Sequence, residues 1–476
     1  MTEASHEIVE RALAASRADG CVVIASESST VNLRWANNTL TTNGAARDRS
    51  VTVISIVGRS FGVRSVSSVS SVDSGTAGGI AVDKLTELVR ASETAAKDSD
   101  EAEDFADLLA PGQQGTATAG PGDDAFDEPA RHTSTAVLST FAADLGEALR
   151  AARAEGRALY GFAEHDVTTT WLGTSTGVRL RHSQPTGSVE WNAKNGQPGG
   201  SVWHGQSTHD FADVDVAATD AELRRRLGWC ARSMELPAGR YETLLPPSAV
   251  SDLILDAYWS AAGRDAAEGR TVFSRAGGGT RLGEAFGPTG LRLFSDPADP
   301  ELSCTPFVSS GHSSATSSVF DNGLALGRTD WFEDGKLATL VHTRASARAA
   351  GTTATPFIDN LTMDGGGTAT LDEMVASTKR GLLLTCLWYI REVDPEVLLL
   401  TGLTRDGVYL VENGEVAGVV NNFRFNESPV SLLGRIAEIG ATTRTLGREW
   451  ADWFKLSRMP AIRVPDFHMS SVSPAS

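Results

Sequence analysis

The chain has 476 residues, of which 41% are hydrophobic and 21% are charged, and its formal net charge at pH 7 is −18. This length is sufficient for two or three domains with substantial cores, and the composition is ordinary for a soluble globular protein. The acidic balance excludes nucleic acid and anionic membranes as general partners, because both repel an excess of carboxylates.

The N-terminus and the cysteines indicate a cytoplasmic protein. The first 20 residues resemble a polar-faced helix and have no basic stretch followed by an apolar core. No run reaches the roughly 18 to 20 apolar residues that span a bilayer. The cysteines are widely spaced without a CxxC pair, which predicts reduced, buried thiols and no disulfide framework or zinc ribbon. They are Cys21, Cys230, Cys304 and Cys386.

The N-terminal region alternates helices and strands. The pair Asn37-Asn38 separates two apolar runs and predicts a turn between strands, because asparagine is favoured in tight turns. The predicted elements are a helix, three strands and a second helix, at Ile8–Ala18, Cys21–Glu27, Thr30–Ala36, Val51–Val57 and Ala81–Ala95.

An acidic segment interrupts this pattern from about residue 97 to 132. Carboxylates cluster at its two ends, and Pro, Gly, Gln and Thr fill the middle. This composition predicts a flexible surface connection within an N-terminal domain of residues 1–235. An acidic docking arm is the alternative.

A helix at Thr135–Arg153 and a β-rich section follow. Glycines and a serine at residues 173–177 predict a hairpin turn. A Gly-rich stretch after it contains His204 and His209, five residues apart. Because the glycines at 199, 200 and 205 argue against a helix that would present both rings on one side, we predict a surface loop and not a metal site.

An apolar helix is predicted over residues 248–263. Ser248 is the expected N-cap and Gly263 the expected stop, and apolar residues recur at helical spacing between them. The remaining face is expected to carry Asp252, Asp256 and Trp259.

Strands dominate the rest of the chain. Gly381–Arg391 and Glu396–Gly402 are strongly apolar and predict buried strands, and Asn413-Gly414 predicts a tight hairpin. A helix is predicted at Leu432–Ile439.

The segment at residues 421–429 is dense in groups that bind backbone amides. In a strand, Arg424 and Asn426 would point to one side and Phe423 and Phe425 to the other. Two interpretations stay open, because such groups either satisfy loop carbonyls or line a substrate channel or subunit contact. The channel or interface candidates, including the C-terminal tail, are Asn422, Arg424, Asn426, Glu427, Arg463, Phe467 and His468.

Segments throughout the chain resemble the TldD/PmbA peptidase family, particularly its zinc-free TldE-like branch. The N-terminal succession with its Ala-Asn-Asn turn is similar to the family's first domain. The C-terminal match is carried by KRGLLLTCLWYIREVDP, TGLTRDGVYLVENGEVAG, NNFRFNESP and PAIRVPDFHMSS. The resemblance implies an α+β fold. It consists of an N-terminal α/β domain over residues 1–235 and a β-rich domain of mixed sheets with flanking helices over residues 236–476.

Catalytic members of this family carry a His-Glu-x-x-x-His motif on the predicted helix and a late cysteine as a further zinc ligand. With the apolar run Leu253–Leu255 setting the register, Asp256 stands at the first histidine, Ala257 at the glutamate and Ala261 at the second histidine. No cysteine follows Cys386. Zinc requires three protein ligands and a base for its water, so the resemblance implies that this chain holds no cofactor.

The resemblance therefore implies a non-catalytic, TldE-like subunit of a heteromeric zinc metallopeptidase. Its expected partner is a TldD-like paralogue that carries the zinc, and together they would enclose a chamber for unfolded peptide or a small amide or peptide natural product. Two alternatives stay open. The chain could act alone as a metal-independent amide hydrolase using Asp256 or Glu427, or it could be a peptide-binding scaffold.

Overall fold

The computed structural model describes residues 4–71, 82–118, 125–197 and 199–473. The strands form one sheet of six and one of fourteen, and helices pack against both. This confirms the predicted α+β class. Within these residues, no helix combines the length and the apolar character needed to cross a bilayer.

The smaller sheet belongs to the N-terminal half and is antiparallel throughout. The elements of this half are α1 (Ser5–Ala15), β1 (Gly20–Ala36), β2 (Thr39–Val57), β3 (Ser60–Ser71), α2 (Val82–Asp98), a 3-10 turn (Thr135–Leu138), α3 (Ser139–Ala154), β4 (Ala158–Thr174), β5 (Arg179–Lys194), β6 (Ser201–Thr208) and α4 (Val216–Trp229). The strand order is β3-β2-β1-β4-β5-β6.

The turn at Asn37-Asn38 is confirmed, because both residues have positive φ, at 48° and 61°. The hairpin at residues 173–177 is also confirmed, between β4 and β5. The two strands predicted before residue 36 are a single strand. Ser28 and Ser29 pair with β2 on one side and β4 on the other, so the polar stretch that suggested a break lies within the sheet.

The larger sheet is mixed and fills the C-terminal half. The elements are β7 (Ser233–Met234), β8 (Gly239–Leu245), α5 (Pro247–Trp259), α6 (Gly263–Ala267), β9 (Arg292–Ser295), a 3-10 turn (Val319–Asp321), β10 (Thr329–Glu333), β11 (Lys336–Leu337), α7 (Arg344–Ala350), β12 (Leu361–Asp364), α8 (Leu371–Ala376), β13 (Arg380–Leu384), β14 (Leu387–Asp394), β15 (Leu399–Thr404), β16 (Val408–Glu412), β17 (Glu415–Val420), β18 (Phe423–Glu427), α9 (Pro429–Leu433), β19 (Glu438–Thr445) and β20 (Ser457–Val472). The main path is β11-β10-β9-β12-β20-β8-β13-β16-β17-β7, and β14, β15, β18 and β19 branch from it.

Two C-terminal predictions need correction. The strand predicted at Gly381–Arg391 is broken at Thr385 and Cys386 into β13 and β14. The helix predicted at Leu432–Ile439 ends at Leu433, and β19 begins at Glu438 because this segment pairs with β20. In contrast, Asn413-Gly414 forms the predicted hairpin turn between β16 and β17.

The described parts of the acidic segment pack against the folded body. Phe105 lies 5.2 Å, ring to ring, from Phe320 of the C-terminal half, and Leu109 is buried. On the other side of the gap, the Trp171 indole donates a hydrogen bond to the carbonyl of Phe126. The prediction of a flexible surface connection is therefore wrong for these parts, because apolar residues spaced among the carboxylates anchor them. Residues 119–124 lie outside the described residues.

One hydrophobic cluster crosses the predicted domain boundary at residue 235. Trp35 and Trp191 of the N-terminal sheet, with ring centroids 4.7 Å apart, share this cluster with Leu244, Tyr409 and Val411 of the C-terminal sheet. The boundary itself stays a prediction. The shared core fixes the two sheets against each other.

Candidate functional site

Helix α5 and the residues just after it carry the positions at which the zinc motif was expected. It begins at Pro247, whose ring presets the helical φ, and Pro246 is the N-cap without a side-chain cap bond. It ends at Trp259, and Gly263 begins the next helix. The predicted Ser248 cap and Gly263 stop are therefore wrong.

Methyl groups occupy two of the three motif positions. Ala257 and Ala261 are 2% and 4% exposed and pack in the main C-terminal core beside Leu253 and Tyr258. A methyl group offers zinc no lone pair, and the described residues contain no group of three or more His, Cys, Asp or Glu placed to hold a metal ion. The residues present on this helix do not fit a zinc ion.

Asp256 occupies the third position in an acidic, half-buried environment. Its Oδ2 atom is closed to solvent and has no hydrogen-bond partner. Burial raises the pKa of Asp256 to about 7; the Trp450 indole opposes this shift, and the carboxylates of Glu392 and Glu449 add to it. The side chain thus changes charge close to neutral pH.

Asp252, one turn earlier, was expected on the face that the apolar residues leave, and it is completely buried. Its carboxylate accepts hydrogen bonds from the backbone N–H groups of Arg448, at 3.1 Å, and Glu449, at 2.9 Å. The Trp450 indole donates to the carbonyl of Asp252 at 3.0 Å. Burial raises the pKa of Asp252 well above its usual value, although these backbone bonds oppose the shift. Asp252 therefore fastens residues 447–450 to the helix.

The fastened loop in turn holds strand β14. The carboxylate of Glu449 accepts hydrogen bonds from the backbone N–H groups of Tyr389, at 2.8 Å, and Ile390, at 3.2 Å, and forms an ion pair with Arg391. Tyr389 has a φ of 56°, which bulky side chains rarely adopt. Glu449, whose charge also raises the pKa of Asp256, thus supports this strained backbone.

Arg448 connects the same loop to the N-terminal sheet. Its guanidinium lies 5.3 Å from the ring of Trp203 and 4.7 Å from the ring of Trp388, and it pairs with Glu190 at 2.7 Å. The Trp203 indole donates to the same carboxylate. Sequence patterns did not identify the loop, because its residues are separated by about 200 positions from the helix that they contact.

The second predicted surface lies on β18 and β20, which are neighbours in the large sheet. Phe423 and Phe425 are fully buried, whereas Arg424 is exposed and Asn426 is half-buried, which confirms the predicted alternation. Asn422, half-buried, precedes the strand.

Three of the candidate residues line a common cavity of about 470 Å³; they are Asn426, Glu427 and His468. Glu427 is 4% exposed, and its two oxygens accept from the backbone N–H of His468 and from the guanidinium of Arg435. Both oxygens are therefore occupied.

Arg463 and Phe467 do not belong to this surface. Arg463 is 9% exposed and binds Glu438, Glu242 and the C-terminal end of α8. Phe467 is fully buried against Phe425. The prediction that they line a channel or interface is wrong, because β20 is an interior strand that pairs with β8, β12, β18 and β19.

The histidine pair in the Gly-rich stretch is also placed differently from the prediction. His204 lies in strand β6 opposite Trp191, and burial lowers its pKa to about 4. Gly205 allows this strand, because a Cβ there would lie 2.3 Å from the Trp203 ring. His209 is exposed beyond the strand.

Comparisons with known proteins give one family match and several structural matches. Residues 238–471 match the family model of the PmbA/TldA metallopeptidase C-terminal domain. None of the curated proteins matches. TldE from Thermococcus kodakarensis aligns with a TM-score of 0.77 at 14% identity, over 97% of this chain and 98% of that chain.

Two further solved structures align over nearly the whole chain. A proposed modulator of a DNA gyrase from Thermotoga maritima has a TM-score of 0.73 at 16% identity, over 97% of this chain and 99% of that chain. A second such protein, from Bacteroides thetaiotaomicron, has a TM-score of 0.73 at 15% identity, over 98% of both chains. At these identities the likeness establishes the fold alone.

Proposed function

Because this chain is a member of the TldD/PmbA metallopeptidase family, with the family's C-terminal domain at residues 238–471 and a TldE-like fold, we propose that it is the non-catalytic subunit of a heteromeric peptidase. In this proposal a TldD-like paralogue carries the zinc. The two chains enclose a chamber that admits unfolded peptide or a small amide or peptide natural product. A cytoplasmic location is part of the proposal, supported by four free, buried cysteines.

The observation that carries this proposal is the chemistry of helix α5. Ala257 and Ala261 contribute methyl groups to the core in place of metal ligands, so this chain cannot activate a water molecule at that helix. Peptide hydrolysis by zinc chemistry would therefore require another chain that supplies the metal.

An exposed apolar hairpin supports the proposed partner. Tyr389, Val393 and Val397 are 58%, 57% and 51% exposed and lie on or between β14 and β15. Large apolar side chains grouped on a surface mark contacts with other proteins. Glu392 of this hairpin lies close enough to Asp256 to raise its pKa, so the proposed contact would place the partner near the position at which the zinc motif was expected.

Co-expression with a paralogue that carries a His-Glu-x-x-x-His motif tests the proposal. We expect the two chains to purify together. The amount of bound zinc should match the amount of the partner chain, with no contribution from this chain. Substituting Tyr389→Ser and Val393→Ser should weaken the association by at least tenfold, because both remove apolar contact area. Leu40→Ser, at a residue 49% exposed on the other sheet, is the matched control.

Two results would contradict the proposal. One is stoichiometric zinc bound by the isolated chain. The other is the absence of any association with zinc-carrying paralogues under conditions in which both chains are folded.

One observation favours a second candidate, a metal-independent amide hydrolase. Asp256 has a pKa of about 7, which suits general acid–base catalysis near neutral pH. Glu427, the other candidate, is disfavoured because both of its oxygens are occupied. Amidase activity of the purified chain that persists with a chelator and disappears in Asp256→Asn would establish this candidate.

A further inference from the structure

We propose that the cavity between α6, α7 and residues 103–104 binds a small organic ammonium ion, which donates a hydrogen bond to Nε2 of His342. The cavity has a volume of about 420 Å³. It lies immediately beyond α5, because the backbone N–H of Val341 donates to the carbonyl of Ala261 at 2.8 Å. The inference does not depend on the subunit role proposed above.

His342 forms the floor of the cavity and is held rigidly. It is 5% exposed, and its backbone exchanges two hydrogen bonds with Thr355. Its imidazole lies flat on Gly263, where a Cβ atom would be 2.3 Å from Nε2. Only glycine leaves room for the ring in this position.

The hydrogen bonds of the ring leave Nε2 as an acceptor. Nδ1 of His342 lies 3.2 Å from the hydroxyl oxygen of Ser346. That hydroxyl accepts from Thr343 Oγ1 and lies 3.3 Å from the Thr343 carbonyl. In the proposal, its single proton is assigned to this carbonyl and the ring hydrogen to Nδ1, which then donates to Ser346. Nε2 therefore has a free lone pair, and no described residue forms a hydrogen bond with it. Burial lowers the pKa of His342, which favours the neutral ring.

The remaining lining selects a cation with a short aliphatic body. Three carboxylates line the cavity, those of Glu103, Asp104 and Glu268, against the single guanidinium of Arg264. Arg264 pairs with Glu103 at 2.6 Å and Glu268 at 3.1 Å, and Glu268 also pairs with Arg270. Among the described residues, Asp104 has no ion pair of this kind and accepts a hydrogen bond from the Ser318 hydroxyl at 2.6 Å, so the negative charge that stays uncompensated belongs to Asp104. Alanine methyl groups form the apolar walls, at Ala267, Ala315, Ala345, Ala349 and Ala350. An ammonium group satisfies both the lone pair and the carboxylates, and its alkyl chain contacts the methyl groups.

Titration of the full chain, labelled with ¹⁵N-histidine, with n-butylammonium tests the proposal. We expect a saturable shift of the His342 Nε2 resonance, which is identified by its absence in His342→Leu. n-Butanol has the same alkyl chain without the charge and should cause no saturable shift. Trialanine and N-acetyl-trialanine test whether the ammonium group can be the N-terminus of a peptide or must belong to a free amine. Only trialanine has the free α-amino group of a peptide.

The variants make the test specific. Isothermal titration calorimetry measures the variants, because His342→Leu has no His342 resonance. His342→Leu should weaken n-butylammonium binding by about tenfold, the effect of one lost hydrogen bond to a charged group. Asp144→Asn removes an exposed carboxylate outside the cavity and should leave the affinity unchanged. Equal affinity of His342→Leu and the unmodified chain, or equal binding of n-butanol and n-butylammonium, overturns the proposal.

The unmodified chain supplies a second measurement that does not depend on a variant folding correctly. Protonation of His342 removes the lone pair and repels the ammonium ion, so the affinity should fall as the His342 resonance titrates. An affinity that stays constant through that titration also overturns the proposal.

Discussion

Asp252 and Asp256 lie one turn apart on α5, and their surroundings give them different roles. Asp252 is fully buried and bonded to two backbone N–H groups, so its carboxylate determines the position of residues 447–450. Asp256 has an oxygen without a partner and two carboxylates nearby. A buried oxygen without a partner reduces stability, and such residues are common at functional sites.

Replacement of Asp256 by asparagine should stabilise the protein at neutral and higher pH. The pKa is about 7 in the folded chain against 3.8 for an ordinary aspartate, so the folded state becomes relatively less stable as pH rises from about 4 to about 7. Asp256→Asn removes this loss and should gain about 1–2 kcal/mol above pH 7, a value reduced from the full shift because the residue is half-buried. The gain should vanish near pH 4.

Chemical denaturation of both proteins across this pH range measures the difference. Asp144→Asn, at an exposed position, serves as the control and should show no such pH dependence. A gain that is the same at every pH would show that loss of charge at Asp256 is not its cause.

At the level of elements, the first hairpin depends on two adjacent asparagines with different functions. Both have positive φ, which explains why neither is a β-branched residue. Asn37 is exposed, whereas Asn38 is 6% exposed. The Asn38 side chain donates to the carbonyl of Arg157 and accepts from the N–H of Leu159, each at 2.7 Å. Asn38 therefore joins the turn to the start of β4.

Glycine substitutions separate these functions. Because glycine tolerates positive φ, Asn37→Gly should leave the free energy of unfolding within about 0.5 kcal/mol of the unmodified value. Asn38→Gly loses two buried hydrogen bonds and should cost about 2–3 kcal/mol. Equilibrium denaturation compares the two variants, and equal effects would mean that the Asn38 side chain contributes little beyond its φ.

The packed part of the acidic segment gives a second prediction for an element. Phe105 contacts the ring of Phe320, and its own ring lies 4.7 Å from the Arg59 guanidinium. Phe105→Ala should cost about 2–3 kcal/mol, less than a fully buried phenylalanine, and should speed proteolytic cleavage within residues 99–118. Leu40→Ala, at an exposed residue, is the control. Cleavage at an unchanged rate would indicate that Phe105 does not hold the segment.

At the scale of the whole molecule, the two sheets share one core. Trp35 and Trp191 pack in the same cluster as Tyr409 and Val411, and Arg448 links the same two sheets through Glu190. Chains of this length often unfold domain by domain. Here, separation of the domains would expose the shared cluster to water.

We therefore expect one cooperative thermal transition. Scanning calorimetry should show a single peak, and Tyr409→Ala should lower its temperature without dividing it, because the residue belongs to both halves of the core. Two resolved transitions in the unmodified chain would contradict this expectation.

The sequence by itself determined the features that depend on neighbouring residues. The turns at Asn37-Asn38 and Asn413-Gly414 follow from backbone preferences within a few residues, and the alternation at residues 423–426 follows from the geometry of any strand. The sequence also contains the alanines at positions 257 and 261, whereas their assignment to a metal motif comes from the family resemblance and stays a prediction.

Only the tertiary structure decided which polar groups are buried and what they contact. Asp252 and Arg463 are buried because distant segments cover them, and His342 faces a cavity because α6, α7 and residues 103–104 meet around it. Burial, hydrogen-bond partners and pKa depend on atoms that are close in space but hundreds of residues apart in the chain. A local pattern carries no information about such contacts.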